Sequence, residues 1–146
     1  MATFARHVSV DWTGNLMEGN GSARAGTGAF ALPVTFPSRI GEGDGQTTPE
    51  ELLAGAHAVC FAMVLTNTIS KKGGSASKVS VTATVTADKG DAGIKVVTSH
   101  LTATVAGLQG VEPGQLQALA VGAEQGCPIS NAIRGNVTIS VEATAV

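Results

Sequence analysis

Thr48-Pro-Glu-Glu-Leu-Leu-Ala-Gly-Ala-His-Ala-Val-Cys60-Phe-Ala-Met-Val-Leu-Thr-Asn67 reads as one long helix, and the rest of the chain as its container. Thr48 suits an N-cap, and Pro49 suits the first helical position, where a missing N–H costs nothing. Glu51, three residues on, completes a T-x-x-E capping box. Glu50 and Glu51 also sit at the positive end of the helix dipole. Beyond them the segment is apolar on nearly every face: Leu52, Leu53, Ala56, Val59, Cys60, Phe61, Met63, Val64 and Leu65 leave no polar stripe. Such a helix is expected to be buried all round, in a core or against a partner subunit. It reads as too short, and too broken by Glu, His, Thr and Asn, for a membrane span. Lys71, Lys72, Gly73 and Gly74 supply its stop.

Working outward, residues 6–14 alternate and end in a turn, 18–27 hold a turn and a short strand, and 30–36 form a third strand. Pro33 places that third strand at an edge. Together they predict an antiparallel meander. Residues 37–47 read as a glycine-rich loop feeding the helix. Gly41, Gly43 and Gly45 lack both the G-x-G-x-x-G spacing and a following Gly-Lys-Ser/Thr, so a phosphate loop is set aside. Residues 77–88 and 92–106 alternate and are rich in Val and Thr, with a hairpin expected at Lys89-Gly90-Asp91. One face of this sheet should pack and the other should be wet. A second helix is expected over 113–125, a short third from Cys127-Pro128, and a last strand over 136–144. The expected fold is α+β, with antiparallel sheets packed around two main helices in a single domain, 1–146.

A chain of 146 residues can bury a real core. Its net charge of −2 gives no basic footprint for nucleic acid, and 3% aromatic content makes a base-stacking platform unsuitable. Hydrophobic content of 43% against 14% charged hints at a buried subunit interface. Met1–His7 hold no basic segment followed by an apolar one, so the expected compartment is the cytoplasm. Two cysteines there point to catalysis, redox chemistry or metal more than to a staple.

Cys60 and Cys127 lie far apart in sequence, which excludes CxxC redox and CxxC zinc motifs. A zinc site from both thiols, His57 and a carboxylate would lack motif spacing. Cys127 stands at a helix start, where thiolates are favoured. Cys60 lies mid-helix in apolar company, where burial alone would make it inert. Arg39, Arg134 and His57 are the cations that could activate it, although His57 reads first as a helix-packing histidine.

Thr48-Pro49-Glu50-Glu51-Leu52, then Ala56-His57-Ala58-x-Cys60-Phe61, then Gly126-Cys127-Pro128-Ile-Ser130-Asn131, resemble the OsmC/Ohr family of thiol peroxidases in motif, order and separation. The resemblance implies an intertwined homodimer with sites at the interface, a peroxidatic Cys60, a resolving Cys127, and an Arg and a Glu that hold the thiolate. The Glu corresponds to Glu50. The Arg corresponds to Arg39 in Phe36-Pro-Ser-Arg39, the placement of the OsmC branch. It further implies a dithiol or lipoylated-protein reductant; the apolar surroundings Phe61, Met63, Leu52 and Leu53 favour an organic hydroperoxide substrate over hydrogen peroxide, and no cofactor or metal is expected. Neither nucleic acid nor a membrane is an expected partner. Glu50 and Cys60 are about 15 Å apart along one helix, at roughly 1.5 Å per residue. If both serve one site, Glu50 and Arg39 must come from the other subunit. A non-catalytic binder of small apolar molecules and a structural disulfide are the competing readings.

Overall fold

The computed structural model describes residues 1–146, as two compact units, Met1–Leu52 and Leu53–Val146. In the first, β1 (Val8–Thr13), β2 (Asn20–Ala25) and β3 (Ala31–Val34) form an antiparallel sheet in the order β1-β2-β3. Pro33 lies on the edge strand β3, where its missing N–H breaks no ladder. The loop expected over 37–47 begins in a helix: α1 spans Phe36–Ile40. Thr35 caps it, its hydroxyl accepting from the Ser38 N–H, with Pro37 in the first turn. Three consecutive left-handed residues follow, Gly43 (φ 80°), Asp44 (φ 47°) and Gly45 (φ 76°). Glycine tolerates that conformation, and Asp is among the few other residues that do. The curl turns the chain back into α2.

Helix α2 runs Pro49–Lys71. Half of the capping box forms: the Thr48 hydroxyl accepts from the Glu51 N–H at 3.0 Å. The Glu51 carboxylate turns instead to the Thr47 hydroxyl, at 2.9 Å. Within one chain the helix is buried on one side only. His57, Phe61, Leu65 and Ile69, four residues apart each time, form its buried stripe. Val59 (58% exposed) and Met63 (68%) face outward. By length and composition α2 would also pass as a membrane span, contrary to the expectation that it is too short. A long apolar core helix meets the same criterion, and here the buried stripe packs on a sheet.

That sheet comprises β4 (Lys78–Gly90), β5 (Gly93–Ala106) and β6 (Thr138–Ala145), in the order β4-β5-β6. β4 and β5 are antiparallel, and Gly90 pairs with Gly93, so the turn is Asp91-Ala92, one residue later than expected. β6 pairs with β5 in parallel, against the antiparallel expectation. The reason is the connection: a 3-10 turn (Pro113–Gln115), α3 (Leu116–Gln125) and α4 (Pro128–Ile133) carry the chain back before β6 starts. Leu101, Ala103 and Val105 of β5, Leu116, Ala120 and Ala123 from α3, and Cys127 join the α2 stripe in one core.

An irregularity in β5 sets what faces that core. Thr86 pairs with Thr98 and Ala87 with Val96, leaving Val97 as an extra residue. A single-residue bulge inverts the alternation downstream. Ser99, Leu101, Ala103 and Val105 therefore point inward, while Thr98, His100, Thr102 and Thr104 face the more open side.

Candidate active site

The four residues singled out from the sequence come together as two pairs, one in each unit. Arg39, in the last turn of α1, meets Glu50, in the first turn of α2. Its Nη2 lies 2.6 Å from Glu50 Oε1, and its Nε 3.1 and 3.2 Å from the two carboxylate oxygens. Such charge-assisted, forked geometry is the strong form of the pair. The Arg39 hydrogen bond holds the Glu50 carboxyl below its ordinary range, so Glu50 is a carboxylate at neutral pH.

Cys60 and Cys127 form the second pair. Both are free thiols, Cys60 half-buried and Cys127 fully buried. Cys127 is the N-cap residue of α4. Cys127 and the Ile129 backbone N–H lie near enough to Cys60 to act on its thiol, and Cys60 packs against the core cluster that contains Cys127. That N–H belongs to the first turn of α4, whose amides have no partner within the helix. Burial pushes the Cys60 thiol up, the Ile129 N–H draws it down, and the Cys127 thiol raises it further. Two thiols brought together can be joined by removing two electrons and two protons.

The other cations considered for Cys60 are engaged elsewhere. Arg134 pairs with Glu124, Nη2 to Oε1 at 2.5 Å, and Arg134 Nε reaches Asn131 Oδ1 at 3.3 Å. His57 is fully buried, with Nδ1 2.7 Å from Ser99 Oγ and Nε2 2.7 Å from Ser130 Oγ. Burial lowers its pKa, Glu124 opposes this and Arg134 adds to it. Ser99 was not singled out by sequence reasoning; the adjacent Val96-Val97, which breaks the alternation, is the signal that would have turned it inward. No group of three or more His, Cys, Asp or Glu residues is clustered to hold a metal ion.

The His57 shift has a consequence for stability. Its folded pKa lies below the ordinary 6.5, so below pH 6.5 the unfolded chain binds a proton that the native ring refuses. Stability is then complete above pH 6.5 and lost as pH falls beneath it, by up to about 1.4 kcal/mol per pH unit. Urea melts between pH 7.5 and 5.5 should show this slope, and His57→Gln should flatten it. An equal slope in the variant would assign the effect to another group.

The OsmC-like protein family model matches residues 41–142, a span that holds Glu50, Cys60 and Cys127 and starts just after Arg39. The chain belongs to the OsmC-like family. Among relatives of this family, peroxiredoxin OsmC of Escherichia coli K12 is 31% identical over 141 residues, covering 96% of this chain and 97% of that protein. Organic hydroperoxide resistance protein OhrB of Bacillus subtilis is 27% identical over 116 residues, 79% and 82% of the two chains. An organic hydroperoxide resistance protein OsmC from Legionella pneumophila has the same OsmC-like fold, with a TM-score of 0.75 at 27% identity and 99% of each chain covered. The crystal structure of Bacillus subtilis OhrB superposes with a TM-score of 0.76 at 23% identity, covering 98% of this chain and all of that one.

Proposed function

We propose that this protein is a thiol-dependent peroxidase that reduces organic hydroperoxides, and hydrogen peroxide more slowly, in the cytoplasm. The observation that carries the reading is that the free thiols of Cys60 and Cys127 lie side by side at the core, with the Ile129 N–H near the Cys60 sulfur. The names of the relatives, peroxiredoxin and organic hydroperoxide resistance protein, support the same class.

In this reading the Cys60 thiolate attacks one oxygen of the hydroperoxide. The O–O bond breaks, Cys60 becomes a sulfenic acid and the alkoxide takes a proton to leave as an alcohol. The Cys127 thiol displaces water from the sulfenic sulfur, giving a Cys60–Cys127 disulfide. An external dithiol or lipoylated protein returns both thiols by exchange and is itself oxidised to a disulfide. Phe61 faces the core, but Met63, exposed on α2 one turn after Cys60, offers apolar surface that favours an organic peroxide.

Burial disfavours the thiolate this chemistry needs, so a cation must be brought to Cys60. We assign that task to Arg39, oriented by Glu50. Because about 15 Å of α2 separates Glu50 from Cys60, the pair is assigned to the Cys60 of a second copy in a homodimer. The exposed Val59 and Met63 give α2 an apolar side for that copy.

The test is reduced protein with one equivalent of cumene hydroperoxide, followed by thiol counting and mass analysis. Loss of both thiols with a Cys60–Cys127 link is the expected result. Arg39→Ala should raise the thiolate titration midpoint and slow the first step on the order of tenfold or more. Two thiols surviving excess peroxide would overturn the peroxidase reading in favour of a non-catalytic apolar-ligand module.

A further inference from the structure

Helix α4 has six residues, too few to hold itself in place. Yet it starts from Cys127 and carries the Ile129 N–H in its first turn, the two groups that lie near the Cys60 thiol. Side chains must therefore fix it. Two tethers run to the neighbouring α3: Arg134 to Glu124, and Asn131 Nδ2 to the Gln125 carbonyl at 3.1 Å. One runs to α2, the helix that bears Cys60. This is Ser130 Oγ on His57 Nε2, at 2.7 Å. His57 stands three residues before Cys60, one turn away on adjoining faces of α2. Its other nitrogen is held by Ser99 of β5, at 2.7 Å. All three side chains are fully buried. The ring thus has neither freedom to rotate nor water to replace either partner.

We propose that His57 is a positioning residue for disulfide formation: clamped between Ser99 and Ser130, it holds the first turn of α4, and with it the Cys127 thiol, against Cys60. The proposal rests on the thiol-pair chemistry above but concerns a separate property, the effective concentration of one thiol at the other. A neutral imidazole donates from one nitrogen and accepts at the other, so one serine accepts and its counterpart donates. The Ser99 bond satisfies the buried Nδ1, but only the Ser130 bond on Nε2 reaches the helix that starts from Cys127, and it persists when Ser99 is lost. Loss of either serine leaves a buried ring nitrogen unpaired and should weaken the fold to a similar extent. Only loss of Ser130 should separate the thiols.

The experiment compares Ser130→Ala and Ser99→Ala with the parent protein, each equilibrated with mixtures of reduced and oxidised dithiothreitol. The fraction of Cys60–Cys127 disulfide is read by mass analysis. Ser130→Ala should lower the equilibrium constant for the disulfide at least tenfold, a rise in potential of about 30 mV. It should slow the disulfide-forming phase after a pulse of cumene hydroperoxide by a similar factor, with more Cys60 found as sulfinic acid. Ser99→Ala should change each by less than threefold, although its melting temperature falls comparably. His57→Asn, read in the same way, should follow Ser130→Ala, and carries the test should that variant not fold. A disulfide equilibrium and rate within threefold of the parent in Ser130→Ala or His57→Asn would overturn the proposal. A parent protein that forms the disulfide with oxidised dithiothreitol but ignores hydroperoxide would instead overturn the peroxidase reading, and the equilibrium shift would still decide the role of His57.

Discussion

Cys127→Ser should complete one round of peroxide reduction and then stall. The substitution is conservative where it stands. Cys127 caps α4 without any side-chain hydrogen bond to the helix, and serine is a better cap than cysteine. Its backbone bonds, N–H to the Glu124 carbonyl at 3.1 Å and carbonyl from the Asn131 N–H at 3.0 Å, do not involve the sulfur. The Ile129 N–H near Cys60 is untouched by the substitution. The first oxidation should therefore run at close to the parent rate, consuming one equivalent of hydroperoxide and leaving a sulfenic acid that dimedone traps. Without a neighbouring thiol, that species waits for an external one. A tethered thiol acts at an effective concentration far above that of a dissolved dithiol, so steady-state turnover should drop on the order of 100-fold. Excess peroxide should carry Cys60 on to sulfinic acid. Turnover at the parent rate would remove Cys127 from the cycle.

The second large effect is on stability. Phe61 follows Cys60 directly, is fully buried, and lies one turn from both His57 and Leu65 on the packed stripe of α2. Phe61→Ala removes a ring from a core that also contains Leu101, Val105 and Leu116. Truncations of this kind cost about 3–5 kcal/mol, because the neighbours close the cavity only in part. Urea denaturation should show the midpoint falling with little change in slope. A loss under about 1 kcal/mol would mean that α2 does not rest on the sheet by this side.

What the residues disclose on inspection follows the range of each interaction. α2 announces itself because its cap, proline and glycine stop are all local. Arg39 and Glu50 come close enough in sequence for one turn of chain to join them. The α1 helix was hidden by the glycines behind it, although Thr35 and Pro37 carry its start signal. The direction of β6 was not readable, since alternation in Thr138–Ala145 is the same whether the strand runs up or down. Nor was the packed side of α2. An almost uniformly apolar helix names no preferred face, and the i, i+4 choice of His57, Phe61, Leu65 and Ile69 is made by the sheet. The His57 clamp joins three segments distant in sequence, and no pattern within any one of them encodes it. The pairing of Cys60 with Cys127 was suggested by family resemblance, not by spacing.

The parallel docking of β6 also governs the order of events in folding. β4 and β5 can zip from their tight turn as soon as both exist. β6 cannot join them until residues 107–137 have been laid down and folded back across the sheet. Contacts of such long sequence separation form slowly. The inward side of β5, Ser99 included, therefore waits on the slowest pairing in the molecule, and α4 lies within the segment that makes it. A newly made chain would pass through a period with Cys60 in place and Cys127 not yet delivered. In that interval the two sulfurs are strangers, and nothing in the fold yet keeps either from the wrong partner.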